Sequence, residues 1–416
     1  MPTDKKKNLT RARAETFIAK IEGHGSLSVD FKKGKVKLEV HEGERLFEGI
    51  LVGRTIDEMH WITPRICGVC PIAHNLASLY ATEAALGIKV TESTKLLRRV
   101  MRTGQNIQSH ILHAVFLALP DYIGIDRITE LEKTDPKTFA DALELKEVGD
   151  EIASVVAGRN VHPTRTTVGG FHKVPTKDEL KELQRKLKRA IPKAKKMVKL
   201  FAGLSYPALK MDLEFLIQDN GKVLSSKREG FRVIDYKSNL IEEVKGYSSA
   251  KFGTYLGENC MVGSLARLYF MKNEDALPKK RRAILDAIDF TNPFYNNLAQ
   301  ITEVLLELEE AERITAQLIE DGIDERIAKP AAKPTNKGIG AVEAPRGGLY
   351  NEVHINKNNI ITYANILTPT VQNLPSMEEA AGEILAQHKG KSKAELTHLI
   401  IMLVRAYDPC ITCSAH

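Results

Sequence analysis

Four of the five cysteines stand in two identically spaced pairs, Cys67-Gly68-Val69-Cys70 near the start and Cys410-Ile411-Thr412-Cys413 near the end. A Cys-x-x-Cys loop aims two thiolates at one metal ion. Two such loops supply four soft sulfur ligands, a set that suits zinc, iron–sulfur, nickel or copper(I). Zinc ribbons bring their pairs within about 15–20 residues of each other. Here about 340 residues intervene, a long loop to close for a structural staple alone. A disulfide redox pair needs only one such motif. Spacing by itself leaves structural zinc, an iron–sulfur cluster and a catalytic metal open. The fifth cysteine, Cys260, reads as a buried thiol.

The chain has 416 residues, 43% hydrophobic and 27% charged. That is enough for one large domain or two to three smaller ones. Net charge is +7, with a pI near 8.9. Basic residues gather at Lys5-Lys6-Lys7, between Lys173 and Lys199, and from Lys279 to Arg282. Such runs read as solvated helix faces, and 6% aromatic content is low for stacking bases, so no nucleic-acid partner is expected. No apolar run approaches the 18 or so residues of a membrane span. The N-terminal stretch lacks the apolar core of a signal peptide. The cysteines are clustered rather than spread as a secreted disulfide framework. A reducing, cytoplasmic compartment is expected.

Several elements must position the two pairs. The first pair opens a helix over residues 74–86, with Gly87 as its C-cap. A long helix over 93–119 carries the apolar stripe Leu97, Val100, Met101, Gly104, Ile107, Ile111 and Val115, and Pro120-Asp121 ends it. Residues 121–159 mix a loop with a shorter helix. A helix over 176–200 should kink at Pro192, and another spans 297–321 and closes at Gly322. A last helix over 393–406 delivers the chain to Asp408. Hairpins are expected at 27–40 and at 352–367, the latter turning about Asn356 to Asn359. Residues 211–262 look strand-like and irregular, and 160–170 and 327–340 read as loops. The class is mainly α with small β hairpins (α+β), a bundle of long helices. With the cysteine pairs at opposite ends, residues 1–416 form one interwoven unit. It divides into an N-terminal hairpin region (1–60), a helical bundle with an irregular β insertion (61–340), and a hairpin with the metal-binding C-terminal segment (341–416).

The residues flanking the cysteines narrow the choice. Arg65-Ile66-Cys67-Gly68-Val69-Cys70 with His74 four residues on, and Asp408-Pro409-Cys410 continuing to Cys413 and His416, resemble the large, catalytic subunit of NiFe-hydrogenases. Three further segments fall in the order of that family: Ile21-Glu22-Gly23-His24; Arg159-Asn160-Val161-His162-Pro163 with Gly169-Gly170; and Glu343-Ala344-Pro345-Arg346-Gly347. The resemblance thus covers nearly the whole chain. Residues 360–373, with Ala364-Asn365 and Thr368-Pro369-Thr370, look most like the cytosolic branch, which couples to soluble electron carriers. The implied fold is shared with the quinone-site subunit of respiratory complex I, a non-catalytic relative that lacks these cysteine pairs.

The resemblance implies a nickel held by Cys67, Cys70, Cys410 and Cys413, with Cys70 and Cys413 bridging to an iron that carries CO and cyanide. It implies reversible heterolytic cleavage of dihydrogen, which needs a Lewis acid for the hydride and a base for the proton. Cys410 would be that base and Glu22 the first proton relay. Arg346, after Pro345, would overhang the open site, held by Asp408 through a paired hydrogen bond. His74 would hydrogen-bond the Cys70 sulfur. Thr370, with the backbone at Pro345 and Arg346, would contact the cyanides. Glu48, the carbonyl near Ile366 and His416 would bind magnesium or a similar hard ion that pins the C-terminus.

Two positions depart from the family pattern. Ser109 stands where many relatives carry an aspartate, and Asn351-Glu352 where cytosolic relatives often carry two histidines. With four cysteines committed, the chain has no electron path of its own. The resemblance therefore implies a small subunit with Fe–S clusters, packed over the loops near Glu22, Cys67 and His162. It also implies further electron-transfer subunits, a maturation protease and nickel-insertion factors. Relatives are usually made with a tail that is clipped after the histidine matching His416, so the chain reads as a mature form or as one made without a tail.

Overall fold

Why the two ends of the chain meet can be read from the helices that carry them, in a computed structural model that describes residues 13–274 and 279–416. The run Lys5-Lys6-Lys7 lies outside these residues, as do the side chains of Lys279 and Lys280. Helix α1 (Pro71–Leu86) begins directly at Cys70, its N-cap. Pro71 suits the first helical position, where its missing N–H would have had no partner. Gly87, at φ 66°, closes the helix as expected.

Helix α2 (Glu92–His110) is capped by Thr91, whose side chain accepts from the Thr94 amide. It does not stop at Pro120. The chain continues through a π-helical stretch, Ile111–Ala118, into a short α turn, Leu119–Ile123, that ends at Gly124 with φ 72°. Pro120 sits in the first turn of that last piece, where a proline is tolerated. The wider π turn resets which side chains face inward, and such turns cluster at functional sites. Helix α3 (Pro136–Ala157) is longer than the short helix expected there. It crosses α2 at two glycines: a Cβ on Gly104 would stand 2.9 Å from the Gly149 carbonyl oxygen, and one on Gly149 2.8 Å from the Gln108 amide.

Helix α4 (Lys177–Ala202) runs through Pro192 and starts on a Thr176–Glu179 capping box. Its basic face is engaged with neighbouring helices through Lys186–Glu151, Lys193–Asp141 and Lys188–Glu312. Helix α5 (Asn296–Asp321) ends at Gly322. Helix α6 (Pro369–Gln387), not foreseen from the sequence, precedes α7 (Lys393–Ala406), whose bounds are as expected.

The sheets are small and antiparallel. Strands β1 (Arg13–Phe17), β2 (Gly25–Asp30) and β3 (Lys35–Val40) form the first, adding β1 to the expected hairpin. Within 211–262, β4 (Leu216–Asp219) pairs β5 (Lys222–Ser225), and β6 (Leu240–Val244) pairs β7 (Lys251–Tyr255). A further three-stranded sheet is β8 (Lys337–Ala344), β9 (Gly347–Ile355) and β10 (Ile361–Leu367) in that order.

Residues 337–340, expected in a loop, belong to β8. Gly338 and Gly340 look like loop residues but serve a close approach to α1. An added Cβ would lie 1.9 Å from the Ala81 carbonyl oxygen at Gly338 and 2.3 Å from that of Ala77 at Gly340. Overpacking of this kind typically costs about 1–3 kcal/mol. Gly340→Ala is therefore expected to lower the thermal midpoint by several degrees. An unchanged midpoint would mean that strand and helix separate freely. One continuous core of buried residues runs from Ile18 to Ala415.

Candidate metal centre

The start of α1 and the chain after α7 bring the cysteine pairs together. Cys67 Sγ lies 3.3 Å from Cys410 Sγ, and Cys70 Sγ lies 3.2 Å from Cys413 Sγ. Cys410 and Cys413 are 2.9 Å apart, and all four sulfurs lie within 4.8 Å of one another. All are buried and none is in a disulfide. The Cys67 thiol is held well below its ordinary pKa by hydrogen bonds from the other three cysteines. Burial pushes those of Cys410 and Cys413 well above it. A dry site of this kind cannot carry four thiolates without cations to neutralise them. The donor set therefore fits soft transition metals.

Glu22 is pinned against the second pair. It forms an isolated parallel bridge with Cys410, and its carbonyl accepts from the Ile411 amide at 3.0 Å. Its Oε2 lies 3.2 Å from Cys410 Sγ and accepts from the Thr412 amide at 3.0 Å, while Oε1 accepts from the Thr412 hydroxyl at 2.5 Å. Gly23 permits this approach: at φ 81°, a Cβ there would stand 2.7 Å from Ile411 Cβ.

Arg346 sits in the two-residue turn between β8 and β9, where Ala344 pairs with Gly347. The turn is buried. The Arg346 guanidinium donates from Nη2 to Asp408 Oδ1 at 2.8 Å and from Nε to the Asp408 carbonyl at 2.7 Å. The paired bond is therefore split between side chain and backbone, rather than made to both carboxylate oxygens. The reason is that Oδ2 is taken by Gln300. Ser109, at the position of the missing aspartate, lies 3.4 Å from Arg346 Nη1.

Cys70, Cys410 and Cys413 face a narrow recess of about 10 Å³, lined also by His74, Pro345, Arg346 and Thr370. The Thr370 hydroxyl accepts from the Cys410 amide at 3.0 Å. His74 Nε2 lies 3.5 Å from Cys413 Sγ, not on Cys70 as expected. The reason is that Cys70 caps α1 while His74, one turn on, faces the incoming C-terminal segment. Burial lowers the His74 pKa to about 4, so the ring is neutral near pH 7.

At the C-terminus, His416 Nε2 lies 2.8 Å from the Ile366 carbonyl and 4.0 Å from Glu48 Oε1. Glu48, on the short helix Phe47–Leu51, accepts from the Ile366 amide at 2.7 Å. The three expected hard-ion ligands are thus gathered. Glu352, in place of a histidine, is buried against Tyr236, Lys337 and His354. Cys260 is a buried thiol pushed up to about 12 by burial.

Three supporting residues escaped sequence reasoning. Gln105 of α2 accepts from the Ile72 and Ala73 amides, satisfying the first turn of α1. Arg45 donates to both the Ile66 and Thr412 carbonyls, tying the two cysteine segments together. Arg267, paired with Glu303 and Glu343, donates to the Ala344 and Pro345 carbonyls behind Arg346. Each joins positions far apart in the chain, and no local spacing announces them.

The sequence profile of the nickel-dependent hydrogenases matches residues 45–141 and 217–416. The chain belongs to that family. This hydrogenase chain is 34% identical to the sulfhydrogenase 1 alpha subunit of Pyrococcus furiosus, over 99% of each chain. It is 32% identical to the sulfhydrogenase 2 alpha subunit of the same organism, over 96% of this chain and 97% of that one. Among solved structures it is similar to an NAD+-reducing NiFe-hydrogenase in its H2-reduced state. The TM-score is 0.85 at 25% identity, over 98% of this chain and 100% of the other. The expected α+β architecture is that of the hydrogenase large subunits. The protein is a hydrogenase catalytic subunit, an oxidoreductase acting on dihydrogen, with nickel and iron as its metals. Family membership thus decides among the metal readings that spacing left open. Among the described residues no helix is long and apolar enough to cross a membrane.

Proposed function

We propose that this hydrogenase subunit splits dihydrogen heterolytically and reversibly, and that Cys67, Cys70, Cys410 and Cys413 would hold a nickel, with Cys70 and Cys413 serving an iron as well. The observation that carries the reading is the meeting of four unpaired thiols with Glu22 on Cys410 and Arg346 over the recess. When bound, the metals supply the Lewis acidity that polarises dihydrogen. The chain's own residues do the rest. Cys410 Sγ accepts the proton, and Glu22 Oε2, 3.2 Å away, receives it next. The Thr412 amide and hydroxyl hold that carboxylate at the sulfur. Arg346 presents a fixed cation whose orientation Asp408 sets.

The recess beside Cys70 and Cys413 suits small diatomic ligands. Its apolar walls and the Thr370 hydroxyl favour an iron carrying CO and cyanide. Glu48, the Ile366 carbonyl and His416 would hold a magnesium or similar hard ion that fixes the C-terminus. Electrons leave to a small subunit with Fe–S clusters, docked near Glu22, Cys67 and His162, and then to further electron-transfer subunits. Nickel-insertion factors and a maturation protease act before assembly. The free cysteines suit a reducing, cytoplasmic setting.

Infrared bands of CO and cyanide, with nickel and iron in equal amounts, are expected from the purified subunit. Zinc alone without those bands would favour a structural site. Glu22→Gln keeps the carboxylate's shape but cannot carry the proton. Nickel content is expected to stay at the parent level while hydrogen–deuterium exchange falls by about 100-fold or more. Exchange at the parent rate would remove Glu22 from the relay.

A further inference from the structure

Behind Arg346 lies a buried relay that touches none of the sulfurs. Asp408 is a non-glycine residue at φ 54°, and its carboxylate divides its two oxygens between two partners. Oδ1 accepts from Arg346 Nη2 at 2.8 Å, and Oδ2 accepts from Gln300 Nε2 at 2.9 Å. Gln300 lies in the second turn of α5 and is 1% exposed. Its Oε1 is 2.6 Å from His113 Nδ1, and His113 Nε2 is 2.6 Å from the Arg405 carbonyl at the end of α7. His113 belongs to the π-helical stretch after α2. The π turn, α5 and α7 thus meet at one chain of side chains that ends on Arg346.

We propose that Gln300, braced by His113, is a positioning residue that sets the angle at which Arg346 overhangs the metal site. This rests on the role given to Arg346 above. The terminal torsion of an aspartate is soft, with broad wells. A carboxylate held at one oxygen only can turn about that bond. The second hydrogen bond, from Gln300, fixes the plane. Arg346 Nε is fixed on the Asp408 backbone carbonyl and Nη2 on Oδ1, so a turn of the carboxylate swings the guanidinium about its Nε contact. Gln300 itself is held by the ring of His113, whose orientation is fixed at its far nitrogen by Arg405. Neither Gln300 nor His113 lines the recess, so both act through Asp408 alone.

The test compares Gln300→Leu, Arg346→Lys and the double variant in the assembled enzyme, with nickel content, thermal midpoint, kcat and KM for dihydrogen measured on each. Gln300→Leu is expected to keep its nickel and lower kcat by about 10- to 100-fold, since misplacements near 1 Å have effects of that size. KM should move by no more than about twofold. In the Arg346→Lys background the same substitution should add almost nothing, because the residue it acts through is already gone. Should Gln300→Leu fail to fold, Gln300→Glu keeps the volume, puts a carboxylate against Asp408 and should show the same loss. Parent-level kcat in a folded Gln300 variant overturns the inference, as does a loss that multiplies in the double variant. Full activity in Arg346→Lys alone would instead overturn the role of Arg346.

Discussion

Cys413→Ser is expected to give a folded chain with almost no nickel and no dihydrogen turnover above background. Cys413 Sγ stands 2.9 Å from Cys410, 3.2 Å from Cys70 and 3.5 Å from His74, at the middle of the site. A serine hydroxyl in this buried position stays protonated and is a hard, weak ligand for nickel. If Cys413 serves nickel and iron together, as proposed, losing its sulfur disturbs both metals at once. The fold should survive, because a cysteine-to-serine change leaves the packing of the core nearly intact. Nickel and iron analysis beside a circular dichroism melt separates the two effects. A variant with full metal content and a parent-like melt would contradict the shared role of this sulfur.

Arg346→Lys is expected to keep nickel and lower kcat by about 10²- to 10³-fold, the usual effect of removing one oriented donor from a dry active site. Lysine retains the positive charge, so the buried Asp408 is not left unpaired. Alanine would orphan that carboxylate, at about 3–5 kcal/mol in stability, and confuse folding with function. An ammonium cannot make the Nε and Nη2 bonds together. It would settle on Asp408 and withdraw from the recess. Steady-state dihydrogen oxidation by the assembled enzyme, normalised to nickel, checks this. A rate within twofold of the parent would show that charge alone suffices and that the orientation from Asp408 is idle.

The sequence already held the site's ligands, because Cys-x-x-Cys pairs and their neighbours are local patterns. Both pairs meet where their spacing implied, and Glu22, Arg346, Asp408 and Thr370 surround them. Helix ends marked by Gly87 and Gly322 were equally legible, since a glycine stop at positive φ is a one-residue signal. The π stretch was not, because residues 111–118 are apolar almost all round and give no phase that tells π from α. Strand β8 was hidden by Gly338 and Gly340, chosen for contact with α1 rather than for strand propensity. Helix α6 begins at Pro369 and carries Pro375 inside it, and an interior proline interrupts the signal by which a helix is recognised. The sulfur His74 faces, and the supports Gln105, Arg45, Arg267 and Gln300, depend on pairings between distant segments. Such pairings follow only from the assembled fold.

Anomalous diffraction at the nickel and iron absorption edges, from crystals of the assembled enzyme, bears most directly on the shared four-sulfur centre. The expected map shows a nickel peak among the sulfurs of Cys67, Cys70, Cys410 and Cys413, with an iron peak in the neighbouring recess touching only Cys70 and Cys413. A single zinc peak there, or nickel bound away from either cysteine pair, would contradict it.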